Sequence, residues 1–272
     1  MKKIIITLIA TILLALMALW GYRAYINTKS YEDMREIIVQ KQNITQLSKN
    51  QLKKFAQNIS LGLYDGYEEL LQEQKKDREV EEFFRGQSEL YTLYFIATLG
   101  TALLFYFILS PRGFTILSSL SGLIALTSGL FTPIMMMSIH KEVEYLGDVI
   151  LSMESKSILG SIAKLSDSGD YIIASTLLLF SVVLPLLKTI SMLFIAIFID
   201  SRFAHTIVKF FKHLGKWSMA DVFVVSTFIV YFSATKSDIS HAQIEVGLYL
   251  FLIYVIVSII TTLSADRMLQ RR

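Results

Sequence analysis

The sequence predicts an all-α polytopic membrane protein of about six transmembrane helices, with an extracytoplasmic helical hairpin between the first two. Three observations carry this prediction. Of 272 residues, 53% are hydrophobic and 18% are charged, against roughly 25% charged residues in soluble domains. The apolar residues gather into runs at 4–20, 90–109, 116–138, 171–199, 222–235 and 247–263. At 1.5 Å per helical residue such runs match about 30 Å of hydrocarbon. The fifth run is long enough if its helix begins at Ser218, giving 218–235. Finally, Lys2, Lys3, Arg112, Arg202, Lys209, Lys212, Lys216, Arg267, Arg271 and Arg272 all fall on one side of the membrane if the N-terminus is cytoplasmic. The two later outer loops hold only Lys141, Lys156, Lys164 and Lys236. The positive-inside rule therefore sets both termini in the cytoplasm.

The composition also excludes chemistry. With no cysteine, disulfides, thiolate catalysis and cysteine zinc ribbons are ruled out. The four histidines are scattered and no HExxH spacing occurs, so no metal or other cofactor is expected. No nucleophile–base pair or phosphate loop is legible, and the chain is expected not to be an enzyme.

Residues 1–20 combine a charged start with an apolar stretch, as a signal peptide does. No A-x-A cleavage site follows, and Trp20 and Tyr22 fit interfacial anchors, so the segment reads as an uncleaved signal anchor. Residues 21–89 are rich in Lys, Glu and Gln and contain no proline. Met34, Ile37, Ile38, Ile44, Leu47, Leu52, Phe55 and Ile59 recur at helical spacing, and GLYDG at 62–66 supplies a reversal. A second helix then runs from about Tyr67 into the second span. The polar run Gln72 to Glu79 weakens any core in this arm. The arm is therefore expected to pack against a partner, another copy of the chain or the membrane, with a solvated spacer as the alternative.

The third span carries Ser118, Ser119, Ser121, Gly122, Ala125, Thr127, Ser128 and Gly129, small and hydroxyl residues that allow close helix approach or line a polar groove. Pro133 is expected to kink its outer end, and Met135, Met136 and Met137 to give it an adaptable apolar surface. In the fourth span Pro185 bends the helix, and Lys188 lies three residues on, near mid-membrane. A lysine at that depth is costly and is expected to mark a functional site, facing a hydroxyl, a carboxylate or an anionic ligand, with a lysine that snorkels to the interface as the alternative. Lys188, Pro185, Ser128, Thr132 and Pro133 are the candidate ligand-binding residues.

The next segment interleaves Arg202, Lys209, Lys212 and Lys216 with Phe203, Phe210, Phe211 and Trp217. Such a pattern suits a helix lying on an anionic leaflet, and the flanking spans disfavour nucleic acid as its partner. Ser218 and Asp221 then read as a capping box opening the fifth span.

The stretch LGKWSMADVFVVSTFIVYF, with Trp217, Ser218, Met219 and Asp221, resembles the signature of the paraquat-inducible protein A family. LPLLKTISMLF and the EVGLYLF and DRMLQ segments resemble two further family elements, in the family's order. The resemblance covers about residues 90–272. It departs from the family in having one membrane unit, no cysteine ribbons and an added arm at 21–89. It implies a bacterial inner-membrane component of a lipid transport or envelope-integrity system in Gram-negative cells, working on membrane lipids beside a mammalian-cell-entry-domain protein. The alternative class is a membrane-anchored sensor or assembly factor, with the arm binding a ligand or partner.

Overall fold

A computed structural model describes residues 2–41, 66–143, 147–198 and 240–270. Five helices among the described residues are long and apolar enough to cross a membrane. The fold is thus that of an all-α polytopic membrane protein, to which one small sheet is added. The expected fifth span at 218–235, the basic segment with Arg202, Lys209, Lys212 and Lys216, and the Trp217–Ser218–Met219–Asp221 motif lie outside the described residues.

The first helix, α1 (Lys2–Lys41), does not stop at Trp20 but continues unbroken for 40 residues. At 1.5 Å per residue that is about 60 Å, twice the hydrocarbon thickness, so one half projects from the membrane. Helix α2 (Gly66–Leu104) returns beside it and closes in a 3₁₀ turn, Phe105–Phe107. Inside the membrane the pair is joined by apolar packing: Met17 and Ala24 are fully buried, and Trp20 stacks on Tyr91 at 5.7 Å. In the arm it is joined by charge. Lys41 bonds Glu73 at 2.9 Å and Asp77 at 2.6 Å, so the run from Gln72 to Glu79, read as a weakness, supplies partners across the arm. Ile37, expected on the buried face, is 44% exposed, while Tyr31 is 1% exposed.

Helix α3 (Pro111–Phe131) opens on Ser110, whose hydroxyl accepts from the Gly113 N–H, with Pro111 in the first turn. Its expected extent, 116–138, is corrected at the far end. Thr132 is extended (ψ 140°) because Pro133 follows it and disfavours helical geometry in the preceding residue. Pro133 therefore ends this helix instead of kinking it. Met135, Met136 and Met137 belong to β1 (Met135–Val143), not to a helical surface.

Strand β1 is the centre of an antiparallel sheet with order β2-β1-β3, where β2 is Gly147–Lys156 and β3 is Ser240–Ile244. Met135 pairs with Lys156 on one side and with Ile244 on the other. Beyond β2, the short helix α4 (Ile158–Asp167) is capped by Ser157 and ends at Gly169, whose φ of +87° closes the helix as a left-handed C-terminal residue.

The fourth span is a helix in two parts, α5 (Tyr171–Leu178) and α6 (Leu184–Ile197), joined by a π turn at Leu179–Val183. Pro185 has no N–H to give to the previous turn, and its ring crowds that turn's carbonyl. Widening the turn accommodates both, with Leu184 N–H bonding Leu179 O. Helix α7 (Val246–Gln270) packs along α3, and α3 packs on α6. Gly129 is held so tightly that a Cβ there would lie 2.8 Å from the Phe251 nitrogen.

Candidate functional site

Lys188 faces the interior of the bundle and is 8% exposed. It lines a crevice between α3, α6 and α7 with Ser118, Gly122, Thr189, Met192, Tyr254, Ser258 and Thr261. Burying a lysine at mid-bilayer costs on the order of 3 kcal/mol even on the insertion scale. Four hydroxyl residues and a phenol surround the crevice, so the amine is set in polar surroundings and not in hydrocarbon.

The π turn is what shapes this place. Just past that turn, the Pro185 carbonyl accepts from two side-chain donors. Thr189 Oγ1 donates to it at 2.9 Å and Tyr254 OH also donates to it at 2.9 Å. The two hydroxyls lie 3.2 Å apart. Tyr254 is fully buried. Sequence reasoning passed over it, although Tyr254, Ser258 and Thr261 recur four and then three residues apart in α7. That spacing places three hydroxyls on one face.

From the crevice toward the end of the bundle opposite the sheet, the polar lining continues. Thr115 Oγ1 lies 2.9 Å from Ser264 Oγ, and Thr115 donates to the Pro111 carbonyl at 2.7 Å. Arg112 sits at that end and donates from Nε and Nη2 to the carbonyls of Ala196 and Ile197, each at 2.8 Å. Toward the sheet the packing is apolar: Ala125, Leu126, Leu130, Leu250 and Phe251 are all buried. The crevice has room for about one water molecule.

Of the expected ligand-binding set, the structure brings Pro185 and Lys188 together and separates the rest from them. Ser128 faces α1, where a Cβ on Gly21 would lie 2.5 Å from its hydroxyl. Thr132 and Pro133 lie at the sheet end, ten residues and more along α3 from Gly122, or about 15 Å. There the Pro133 carbonyl accepts from Gly247 N–H at 2.8 Å. Helical spacing placed these three in the same span as Ser118, but the level of Lys188 matches the other half of that span.

A bundle of apolar helices around a buried, hydroxyl-lined lysine defines a polytopic membrane protein with a polar centre. The paraquat-inducible protein A family profile matches residues 114–270, and the chain belongs to that family, which ties it to an envelope-related role at a membrane. The match takes in α3, the sheet, α5, α6 and α7; α1 and α2 precede it. No curated protein and no solved structure matches the chain.

Proposed function

We propose that the chain is a non-enzymatic, inner-membrane component of a lipid transport or envelope-maintenance system, with both termini cytoplasmic and the arm and sheet extracytoplasmic. The observation that carries this reading is the buried Lys188 ammonium in a hydroxyl-lined crevice, a setting matched to the phosphate of a lipid head group. The polar lining runs from Lys188 toward the cytoplasmic end, and the apolar packing at Leu130 and Phe251 closes the other. A crevice of one water's size means that α3, α6 and α7 must part before a head group enters. The partner in hand-over is an extracytoplasmic protein of the mammalian-cell-entry type, as the family resemblance implies.

A second reading, in which the arm senses a ligand or partner, is favoured by one contact: Arg35 of α1 donates to Gln243 of β3 at 3.0 Å, tying the arm to the family domain. One experiment separates the two. Lipids that co-purify with the wild-type chain, with Lys188→Ala and with an arm-replaced chain carrying an unrelated helical pair are weighed by native mass spectrometry. The same chains are then tested for complementation of a deletion. Lipid handling expects loss of bound phospholipid on the order of tenfold in Lys188→Ala, and function spared in the arm replacement. Full complementation and full lipid retention by Lys188→Ala would sink the site.

A further inference from the structure

A carboxyl group outside the Lys188 crevice is buried where the added arm meets the family domain. Glu245 is the single residue between β3 and α7, and it is 8% exposed. Its backbone is fixed: its N–H bonds Ile134 O at 3.1 Å, and its carbonyl accepts from Leu248 N–H at 3.2 Å. The residue is thereby anchored at the junction with 8% of its surface exposed.

Charged groups face it from both arm helices. Glu32 and Arg35 come from α1, beside the buried phenol of Tyr31; Arg85 and Glu89 come from α2. Glu81 of α2 joins them through Arg35. From the domain side, β3 contributes the neutral amide of Gln243, and the neighbouring Ile134 to Met136 carry no charge. Both arginines are engaged elsewhere. Arg35 donates to Tyr31 OH and to Gln243 Oε1, and its Nε pairs with Glu81 at 3.6 Å; Arg85 pairs with Glu89 at 3.2 Å.

We propose that Glu245 is a proton-operated latch between the arm and the membrane domain: neutral, it stays buried and the arm stays docked on the β3–α7 junction; ionised, it draws water into the junction and loosens the arm. Burial is the dominant influence and pushes the Glu245 carboxyl up to about 7. Glu89 and Glu32 add to the rise, and Arg85 and Arg35 oppose it without cancelling it. In the released arm the carboxyl is solvated and returns toward its ordinary value of 4.5. The docked state thus binds the proton more tightly. Its extra stability is complete below the ordinary value, falls as pH rises, and is gone above about 7. Within that window the docking constant changes by up to about tenfold per pH unit. The latch stands independently of what Lys188 binds.

The absence of native cysteine makes a direct test simple, because spin labels attach only where cysteine is introduced. Glu36 on α1 and Asp167 on α4 are both exposed and report arm against bundle. Electron–electron distance distributions are measured on the full-length chain in lipid nanodiscs at pH 5.5 and 8.5. A single narrow distance at pH 5.5 that broadens at pH 8.5 is expected, with Glu245→Gln narrow at both. Should that variant fail to fold, Arg85→Ala serves: losing a positive neighbour raises the carboxyl further and moves the broadening to higher pH. A distribution that ignores pH in the parent chain, or a pH response unchanged in either variant, overturns the latch.

Discussion

The hydroxyl of Tyr254 lies 2.9 Å from the carbonyl oxygen of Pro185, so the last helix is bonded to the fourth span at the point where that span restarts after its π turn. Thr189 donates to the same oxygen. Pro185 widens the turn before it, its own carbonyl takes two side-chain donors, and Lys188 follows three residues on along the same helix.

Tyr254→Phe keeps the ring and removes that bond. Interhelical hydrogen bonds in membranes average about 0.6 kcal/mol and reach about 1.7 kcal/mol. The expected loss of stability lies in that range, read from unfolding of the purified protein in mixed micelles. Thr189→Val removes a bond within α6 and the contact with Tyr254, and is expected to cost about 0.5–1.5 kcal/mol. Because the two donors share an acceptor and lie within 3.2 Å of each other, the double variant should fall short of the sum. Strict additivity would show that the two hydroxyls brace Pro185 separately.

Arg112 is expected to matter beyond its contribution to charge asymmetry. Its two bonds reach the last carbonyls of α6, where the helix dipole is negative and the backbone acceptors have no helical donor. Arg112→Ala should destabilise the chain by about 1.5–3 kcal/mol, the range for hydrogen bonds to a charged group. Arg112→Lys keeps the charge but not the forked pair of donors, and should fall between. Equal thermal midpoints for Lys and Arg would mean that charge alone acts there.

The membrane architecture was legible because it depends on long apolar runs, and a run of twenty apolar residues has few alternatives in lipid. The depth of Lys188 could be counted from its neighbours in the same run. The segment after Thr132 was not legible in this way. Three consecutive methionines suit a helix as well as a strand, and the strand partners of the first, Lys156 and Ile244, lie far along the chain. Register across such distances leaves no local periodicity to read. Tyr254 was hidden for the opposite reason: an apolar run invites reading as a whole, and a phenol within it passes as one more hydrophobe. Glu245 stood in view at the mouth of the last span. The charged groups that face it come from α1 and α2, helices that the family profile does not include.

Gly122 and Gly129 of the third span and Gly247 of α7 are places of close approach, and they rank by how close that approach is. A Cβ at Gly122 would meet Val257 at 3.5 Å and Thr189 at 3.8 Å, ordinary contact distances. Gly122→Ala should therefore be nearly neutral, within about 0.5 kcal/mol. A Cβ at Gly129 would lie 2.8 Å from the backbone nitrogen of Phe251 and 3.0 Å from its Cα. Backbone cannot rotate aside as a side chain can, so α3 and α7 must separate, at about 1–3 kcal/mol for Gly129→Ala. At Gly247 the obstacles are the carbonyl oxygens of Thr132 and Pro133, at 2.3 and 2.5 Å. Gly247→Ala should also break the bond from Gly247 N–H to Pro133 O and be the most damaging of the three. Thermal midpoints in one detergent should fall in the order Gly122→Ala, Gly129→Ala, Gly247→Ala. If Gly122→Ala proved as damaging as Gly129→Ala, the tight seam between α3 and α7 would extend past the crevice level, and Lys188 would sit in a closed core with no path along that seam.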